Sequence, residues 1–336
     1  MKSVFIIGTQ RSGSNLLRLM LNQLQAIASP HPPHILDRML PLMDSYGDLH
    51  DERNFKILVD DVCRLVELNP VEWSDVVFDR EKIFSDSQGS RSLTSVYGAV
   101  YDSYAEQQGA HTWICKSMAN IKYTNEIEAH FKKPKYIYLY RDGRDVALSF
   151  QKAVVGEKHI YNIAKDWSET QSKALYLREM LDEDQFFSVS YEQLTQQPEQ
   201  TAKALCAFLA VEFSTEMFDY HKSHEAKNAA ESSDLWGNVT NPILSNNSKK
   251  YKKEMSEDDL RIFESVAGHT LDHLNYERDI VATGDETEFP EDDIEKFNEE
   301  NKRKKLAQLL NVDEADKERR QRQSNLLNEI RSRKVA

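Results

Sequence analysis

Four apolar residues, Val4-Phe5-Ile6-Ile7, run directly into Gly8, and a leucine-rich segment begins at Leu16. A short run of β-branched and aromatic side chains suits a strand buried on both faces of a parallel sheet. Leu16, Leu17, Leu19, Met20, Leu21 and Leu24 crowd apolar groups around a helix that must also be buried. Residues 8–14 between them hold two glycines and two serines, so the order is strand, tight loop, helix. Further strands are predicted at 112–116, 136–140 and 186–189, with a helix over 194–209. Residues 36–109 read as mainly helical, with turns near Gly47 and Asn69-Pro70. Strands alternating with helices predict an α/β fold with a central parallel sheet and helices on both faces. Ligands of such sheets sit at the carboxyl ends of the strands. The turns at 8–14, Lys116 and Arg141 all fall there.

Composition narrows the function. Lys and Arg number 43 and Asp and Glu 56, a net charge of −13, which argues against a general binder of nucleic acid or anionic membrane. Hydrophobic residues make up 40%, enough for a sizeable core. Cys63, Cys115 and Cys206 are far apart and form no CxxC pair, so neither a disulfide framework nor a Cys-rich zinc site is expected. The histidines show no clustering with Cys or Glu, and no metal is assigned. The first apolar run is too short for a signal segment, and no later stretch is long enough to span a membrane. A soluble, cytoplasmic protein is expected. After Glu277 the chain turns acidic over 283–300 and alternates charge blocks over 301–322. Leu306, Leu309, Leu310, Leu326, Leu327 and Ile330 fall on helical spacing, which predicts an amphipathic tail packed on the body, on a partner or on a second copy.

Gly8-Thr9-Gln10-Arg11-Ser12-Gly13-Ser14-Asn15 occupies the frame GxxxxGK[ST]. Its glycine spacing fits a loop whose backbone N–H groups wrap a phosphate at a helix N-terminus. Ser14 stands where the lysine of that frame belongs, and Asn15 replaces the Mg²⁺-binding hydroxyl. The positive charge has moved to Arg11. The loop can hold an oxyanion but lacks the usual metal ligand, which argues against an ordinary ATPase or kinase. A second constellation runs from Tyr140 to Ser149. Arg141 lies at the end of a strand and Ser149 two helical turns on, a pairing of guanidinium and hydroxyl suited to a second phosphate. Read alone, Arg141 and Asp145 could be a structural ion pair.

These residues resemble a known family. Residues 5–21, FIIGTQRSGSNLLRLML, resemble the 5′-phosphosulfate loop of sulfotransferases, and residues 138–150, YLYRDGRDVALSF, resemble their 3′-phosphate motif. Val189 to Leu194 is similar to a later tyrosine-containing segment. Leu235-Trp236-Gly237 through Lys249-Lys250-Tyr251 is similar to the C-terminal strip of bacterial members. The resemblance implies a P-loop-like three-layer fold, a sulfotransferase domain over 1–280 and a charged helical extension over 281–336. It implies the donor 3′-phosphoadenosine 5′-phosphosulfate (PAPS), the product 3′,5′-phosphoadenosine, and transfer of a sulfuryl group to a hydroxyl or amine of an acceptor, a carbohydrate or small metabolite. By the same resemblance Arg11 faces the transferring group. Gln10, Ser12, Gly13, Ser14 and Asn15 surround the 5′-phosphate. Arg141 and Ser149 hold the 3′-phosphate, Tyr191 touches the nucleotide, and Lys249 and Lys250 close over it.

The base is where the pattern departs. Many members resemble Lys-Thr-His after the middle strand, whereas this chain has Lys116-Ser117-Met118. Lys116 can stabilise the bridging oxygen, but Met118 cannot take a proton. Other branches use a carboxylate shortly after the first helix, where this chain has His31-Pro32-Pro33-His34. A histidine suits proton removal from an attacking hydroxyl. His31, between prolines, is the first choice, His34 the second and Asp37 the third. Trp73, Tyr97, Tyr101 and Tyr104 would suit an acceptor ring or sugar, in a pocket built from 36–110 and 151–185. Two other functions stay open: a nucleotide-dependent phosphotransferase or kinase, and a non-catalytic nucleotide-binding scaffold.

Overall fold

The computed structural model describes residues 1–232, 234–310 and 312–333, without the side chains of 234–236. The Leu235-Trp236 part of the resembling strip therefore lies outside the described side chains. Five strands, β1 (Lys2–Ile7), β2 (Ile27–Ala28), β3 (Thr112–Cys115), β4 (Lys135–Tyr140) and β5 (Phe186–Ser190), form one sheet in the order β2-β3-β1-β4-β5. Every pairing is parallel.

The sheet's two faces follow from alternation along each strand. Val4 and Ile6 of β1, Ile114 of β3, and Ile137 and Leu139 of β4 enter one core, with the helices Ser14–Leu21 and Pro198–Leu209. Phe5, Ile7, Trp113, Tyr136 and Tyr138 enter the other, with Glu52–Glu67, Leu93–Gln107 and Ile160–Met180. The result is the expected three-layer α/β fold. Two local expectations change. The two-residue β2 is too short to leave a sequence signal, and the 194–209 segment breaks at Gln197, where Pro198 starts a second helix and removes an N–H from the first.

β1 lies centrally, between β3 and β4, so the turns that follow these three strands are neighbours. Gly8 makes that closeness possible. Its φ is +128°, and a Cβ there would lie 2.2 Å from the carbonyl oxygen of Leu139. Behind the loop, Gln171 donates to Thr9 Oγ1 at 2.6 Å and accepts from the Tyr138 hydroxyl at 2.6 Å, fixing the first turn to β4 and to the 160–180 helix. Arg144, 1% exposed, ties the second turn down. It meets Asp142 at 2.9 Å, Glu264 at 2.7 Å and Asp279 at 3.2 Å, and lies over the Tyr251 ring. Removing one partner of such a buried network costs about 3–5 kcal/mol.

The C-terminal segment forms two helices, Glu291–Leu309 and Glu314–Ser332. Leu326 and Ile330 are buried in the core against the 52–67 helix, whereas Leu306, Leu309 and Leu310 stay exposed. Arg64 clasps Glu329 at 2.8–3.0 Å, Arg333 pairs with the buried Asp61, and Gln323 donates to Leu65 O at 2.6 Å. The sparse apolar points thus divide: the last turns dock on the body and the middle of the tail does not. Among the described residues no helix is long and apolar enough to cross a membrane.

Two glycines with positive φ separate strain from contact. Gly8→Ala meets backbone as well as an unfavourable φ, and is expected to destabilise the protein by at least about 2 kcal/mol in denaturant unfolding. Gly109→Ala has φ +69° but nothing within 4 Å, so its loss should stay near about 1 kcal/mol. Equal losses would remove the Gly8–Leu139 approach as a constraint.

Candidate functional site

A cleft of about 1260 Å³ opens at the carboxyl ends of β1, β3 and β4. Single-ligand pockets commonly enclose about 300–1,000 Å³, so this one has room for two molecules side by side. Gly8 to Arg11, Gly13 to Asn15, His31, His34, Lys116, Arg141, Ser149, Tyr191 and Lys250 line it.

The first loop turns backbone and side-chain polar groups into the cleft. Arg11 adopts φ 70° and Gly13 φ 90°, and no side chain caps the helix that begins at Ser14. Its first-turn N–H groups have no intrahelical acceptors and carry the positive end of the helix dipole. A Cβ on Gly13 would lie 2.5 Å from the Tyr191 ring, so only glycine lets the loop pass beneath that ring. Among the described residues, Ser12 Oγ and Asn15 Oδ1 are buried without a hydrogen-bond partner, as is Arg141 Nε in the neighbouring turn. Buried polar atoms of this kind cost about 1–3 kcal/mol each unless something satisfies them. Donors from the loop and the guanidinium suit phosphate oxygens, and turning the Asn15 amide presents its Nδ2 in the same place.

The second motif meets the first. Arg11 Nε donates to Ser149 Oγ at 2.9 Å, and Arg141 Nη1 donates to the Arg11 carbonyl at 3.3 Å. Arg141 also stacks over the Tyr191 ring, 4.3 Å from its centre, and donates to Asn247 O at 2.5 Å. Asn247 in turn donates to the Tyr191 hydroxyl at 2.9 Å. Asp145 lies 3.7 Å from Arg141, but its oxygens accept the backbone N–H groups of Lys249 at 2.6 Å and Tyr251 at 3.0 Å. Asp145 therefore pins the 247–251 strip over the cleft. Lys250 lines the cleft; Lys249 contributes its backbone, with φ 57° and an exposed side chain.

Lys116, His31 and His34 occupy the adjoining wall. Lys116 is 8% exposed, and burial beside Arg18 and Arg11 brings its ammonium down to about 7. Arg18 is itself fully buried, held by Ser29 O at 2.7 Å and by Glu225. The His31 carbonyl accepts from Trp73 Nε1 at 2.7 Å and Asn69 Nδ2 at 3.1 Å, which fixes the proline-flanked backbone. Burial, then the charge of Lys116, holds the His31 imidazole well below its ordinary value. The same causes bring His34 down to about 3. His34 sits at φ 60°, with Nδ1 2.8 Å from Ser117 Oγ. Both imidazoles are thus neutral at pH 7 and, while the neighbouring cations stay unscreened, weak bases. Asp37 also reaches the cleft and accepts from the Tyr123 hydroxyl at 3.1 Å.

The aromatic set expected around an acceptor is elsewhere. Trp73, Tyr97, Tyr101 and Tyr104 are all buried and pack edge-on or tilted against one another in the core. Sequence reasoning missed other wall residues. Lys158 donates to four carbonyls at 2.6–3.3 Å, those of Phe150, Val155, Gly156 and Glu157, and so shapes the 153–156 wall. Arg38, Arg319 and Arg320 also line the cleft, the last two from the C-terminal helix. The sequence signal for Arg319 and Arg320 is the charge-dense tail; Arg38 carries none. Among the described residues no group of three or more His, Cys, Asp or Glu side chains is placed to hold a metal ion.

Residues 3–215 match the sulfotransferase family, and the chain belongs to that family. Two solved structures share its fold. The sulfotransferase domain from the Synechococcus PCC 7002 olefin synthase is 21% identical, with a TM-score of 0.54 over 80% of this chain and 94% of that domain. The sulfotransferase domain from the curacin biosynthetic pathway is 24% identical, with a TM-score of 0.56 over 83% of this chain and 99% of that domain. A search of curated proteins finds no match.

The histidine environment has a consequence for stability. In the unfolded chain both imidazoles protonate near pH ~6.5, whereas in the folded chain they do so lower, His34 at about 3. Below pH ~6.5 the unfolded state binds more protons, so stability falls as pH drops, by up to about 1.4 kcal/mol per pH unit for each group. Denaturant unfolding between pH 7.5 and about 5 should show this slope, and a His31→Gln/His34→Gln protein should lose the part these two groups supply, leaving that of His130 and His159, which burial also lowers. An unchanged slope would place the acid sensitivity in other groups.

Proposed function

We propose that the chain transfers a sulfuryl group from PAPS to a hydroxyl or amine of an acceptor. The observation that carries this reading is the junction of the two turns. Arg11 of the first loop donates to Ser149 of the second motif at 2.9 Å, in a loop with Ser14 in place of the lysine of nucleotide triphosphatases. A nucleotide with one phosphate at each end of its ribose, and sulfate on one of them, matches two neighbouring sites without a metal ligand. The Ser12 hydroxyl, Arg141 Nε and the Asn15 amide, once turned to present Nδ2, offer its oxygens donors.

On this reading Gln10, Ser12, Gly13, Ser14 and Asn15 hold the 5′-phosphate through backbone N–H groups and short side chains. Arg141 and Ser149 hold the 3′-phosphate, Tyr191 supports the nucleotide, and Lys250 and the backbone of Lys249 cover it. His31 takes the proton of the acceptor hydroxyl as its oxygen attacks sulfur, with His34 as its neighbour in reserve. The bond from sulfur to the phosphate oxygen breaks, and Lys116 and Arg11 meet the negative charge left on that oxygen. Negative charge beside Lys116 also offsets one of the cations that, after burial, depress His31, which raises its basicity when the donor site is filled.

Transfer of radiolabelled sulfate from PAPS to the small-molecule fraction of a cell extract tests the activity. Arg11→Ala should reduce turnover about 10²–10³-fold while donor affinity changes little, because its contact acts on charge that develops during transfer. His31→Ala should abolish transfer to hydroxyls with nucleotide binding intact, and His34→Ala should be milder. The reverse ranking would exchange their roles. Arg141→Ala should weaken PAPS more than Ser149→Ala does, and neither should much affect an analogue without the 3′-phosphate. Equal weakening of both nucleotides would assign these residues a structural role instead.

A further inference from the structure

The C-terminal helix Glu314–Ser332 lies outside the family match, which ends at residue 215, yet it supplies part of the cleft wall. Its last turns are anchored on the body through Gln323, Leu326, Glu329 and Ile330, so its first turns are held in place over the cleft. Arg319 and Arg320 lie one turn before Gln323, on the same face of the helix. The Gln323 side-chain oxygen accepts from Arg38, which brings a third guanidinium to that face. Arg38 is in turn one helical turn from His34, whose carbonyl accepts its N–H at 3.0 Å. A continuous path therefore joins the histidine wall to the arginines of the tail.

These guanidiniums are not equally committed. Asp316 holds Arg320 at 2.8 Å, and Asp313 is engaged by the N–H groups of Ala315 and Asp316. Arg319 donates to the carbonyl of Ser232 at 3.0 Å, and among the described residues its Nε is enclosed without a hydrogen-bond partner. Arg38 donates to an amide oxygen. Among the described residues, neither Arg38 nor Arg319 is held by a carboxylate side chain. Arg38 is partly buried; burial and Arg320 beside it disfavour its charge, and the nearby Asp37 carboxylate favours it. Asp37 and Glu231 also line the cleft, so the wall is mixed in sign, but its planar forks point to oxyanion recognition.

We propose that the C-terminal helix closes the acceptor end of the cleft and that Arg38 and Arg319 bind an anionic group, a carboxylate or a phosphate monoester, on the acceptor. The proposal rests on the sulfotransferase reading and adds the acceptor class. An acceptor with its hydroxyl near His31 and His34 would place its anion against these two arginines, one to two helical turns away. The helix then acts as a specificity wall as well as a brace.

The full chain, saturated with 3′,5′-phosphoadenosine so that the donor sites are filled, is titrated calorimetrically with phenyl phosphate, benzoate and neutral benzyl alcohol. At least one anion is expected to bind about tenfold or more tightly than benzyl alcohol, as a charge-assisted contact would give. The stronger of the two distinguishes phosphate from carboxylate. Arg38→Gln/Arg319→Gln should remove that preference, Arg38→Lys/Arg319→Lys should keep most of it, and both should bind 3′,5′-phosphoadenosine like the parent. Anions no tighter than benzyl alcohol, or a preference that survives the Gln variant, would overturn the proposal. Failure of 3′,5′-phosphoadenosine itself to bind the parent would defeat the donor reading, and this inference with it. A Gln variant that alone loses 3′,5′-phosphoadenosine would show the arginines to be structural and overturn the proposal alone.

Discussion

Arg11, Arg18, Lys116 and Arg141 are gathered at one edge of the sheet, close enough that burial and mutual repulsion bring Lys116 down to about 7 and lower Arg11 as well. Like charges this close are unfavourable in a partly desolvated site. The fold sustains them through fixed partners: Glu225 on Arg18, Ser149 on Arg11, and Asp145 and the Tyr191 ring on Arg141. These partners leave Lys116 with a depressed pKa and Arg141 with an unsatisfied Nε. A polyanion in the cleft would relieve both. The geometry of the sheet makes this possible, because β3, β1 and β4 are adjacent and each ends in a turn that contributes one of these cations. Gly8 allows the first and third turns to meet without a side chain between them.

Much of this was legible in the sequence because it is written locally. The apolar run before Gly8, the glycine spacing of the loop and the position of Arg141 after its strand are all short-range signals, and the structure has them where their physical reasons require. What the sequence concealed was long-range. Trp73, Tyr97, Tyr101 and Tyr104 have the composition of a sugar-binding set, but composition does not say which face of a helix meets the core. Asp145 looked like the ion-pair partner of Arg141, and it serves mainly to hold the backbone of a strip more than a hundred residues away. Arg144, unremarked in the sequence, carries the buried ion network. The approach of Arg319 and Arg320 to the cleft depends on Leu326 and Ile330 docking, which helical periodicity suggests without saying where.

A net charge of −13 is compatible with a basic cleft. Bulk charge governs solubility and long-range approach, whereas affinity is decided over a few ångströms in a cleft with low-dielectric walls. Here the basic groups are concentrated at the strand ends and the excess acid lies largely in the outer helices and the 283–300 segment. Two histidines kept neutral by burial first and by neighbouring cations second line the same cleft, so an anion that screens those cations would ease their protonation.

The central claim, that the cleft is built for a nucleotide with phosphates at both 3′ and 5′ positions and without a metal, is tested most directly by thermal unfolding of the purified chain with added ligand. At about 100-fold over its dissociation constant a ligand of the native state contributes about 2.7 kcal/mol, a readily measured rise in Tm. The account requires 3′,5′-phosphoadenosine to give that rise in the presence of EDTA, and ATP with Mg²⁺ to give a much smaller one. A larger rise with ATP and Mg²⁺ than with 3′,5′-phosphoadenosine would contradict it.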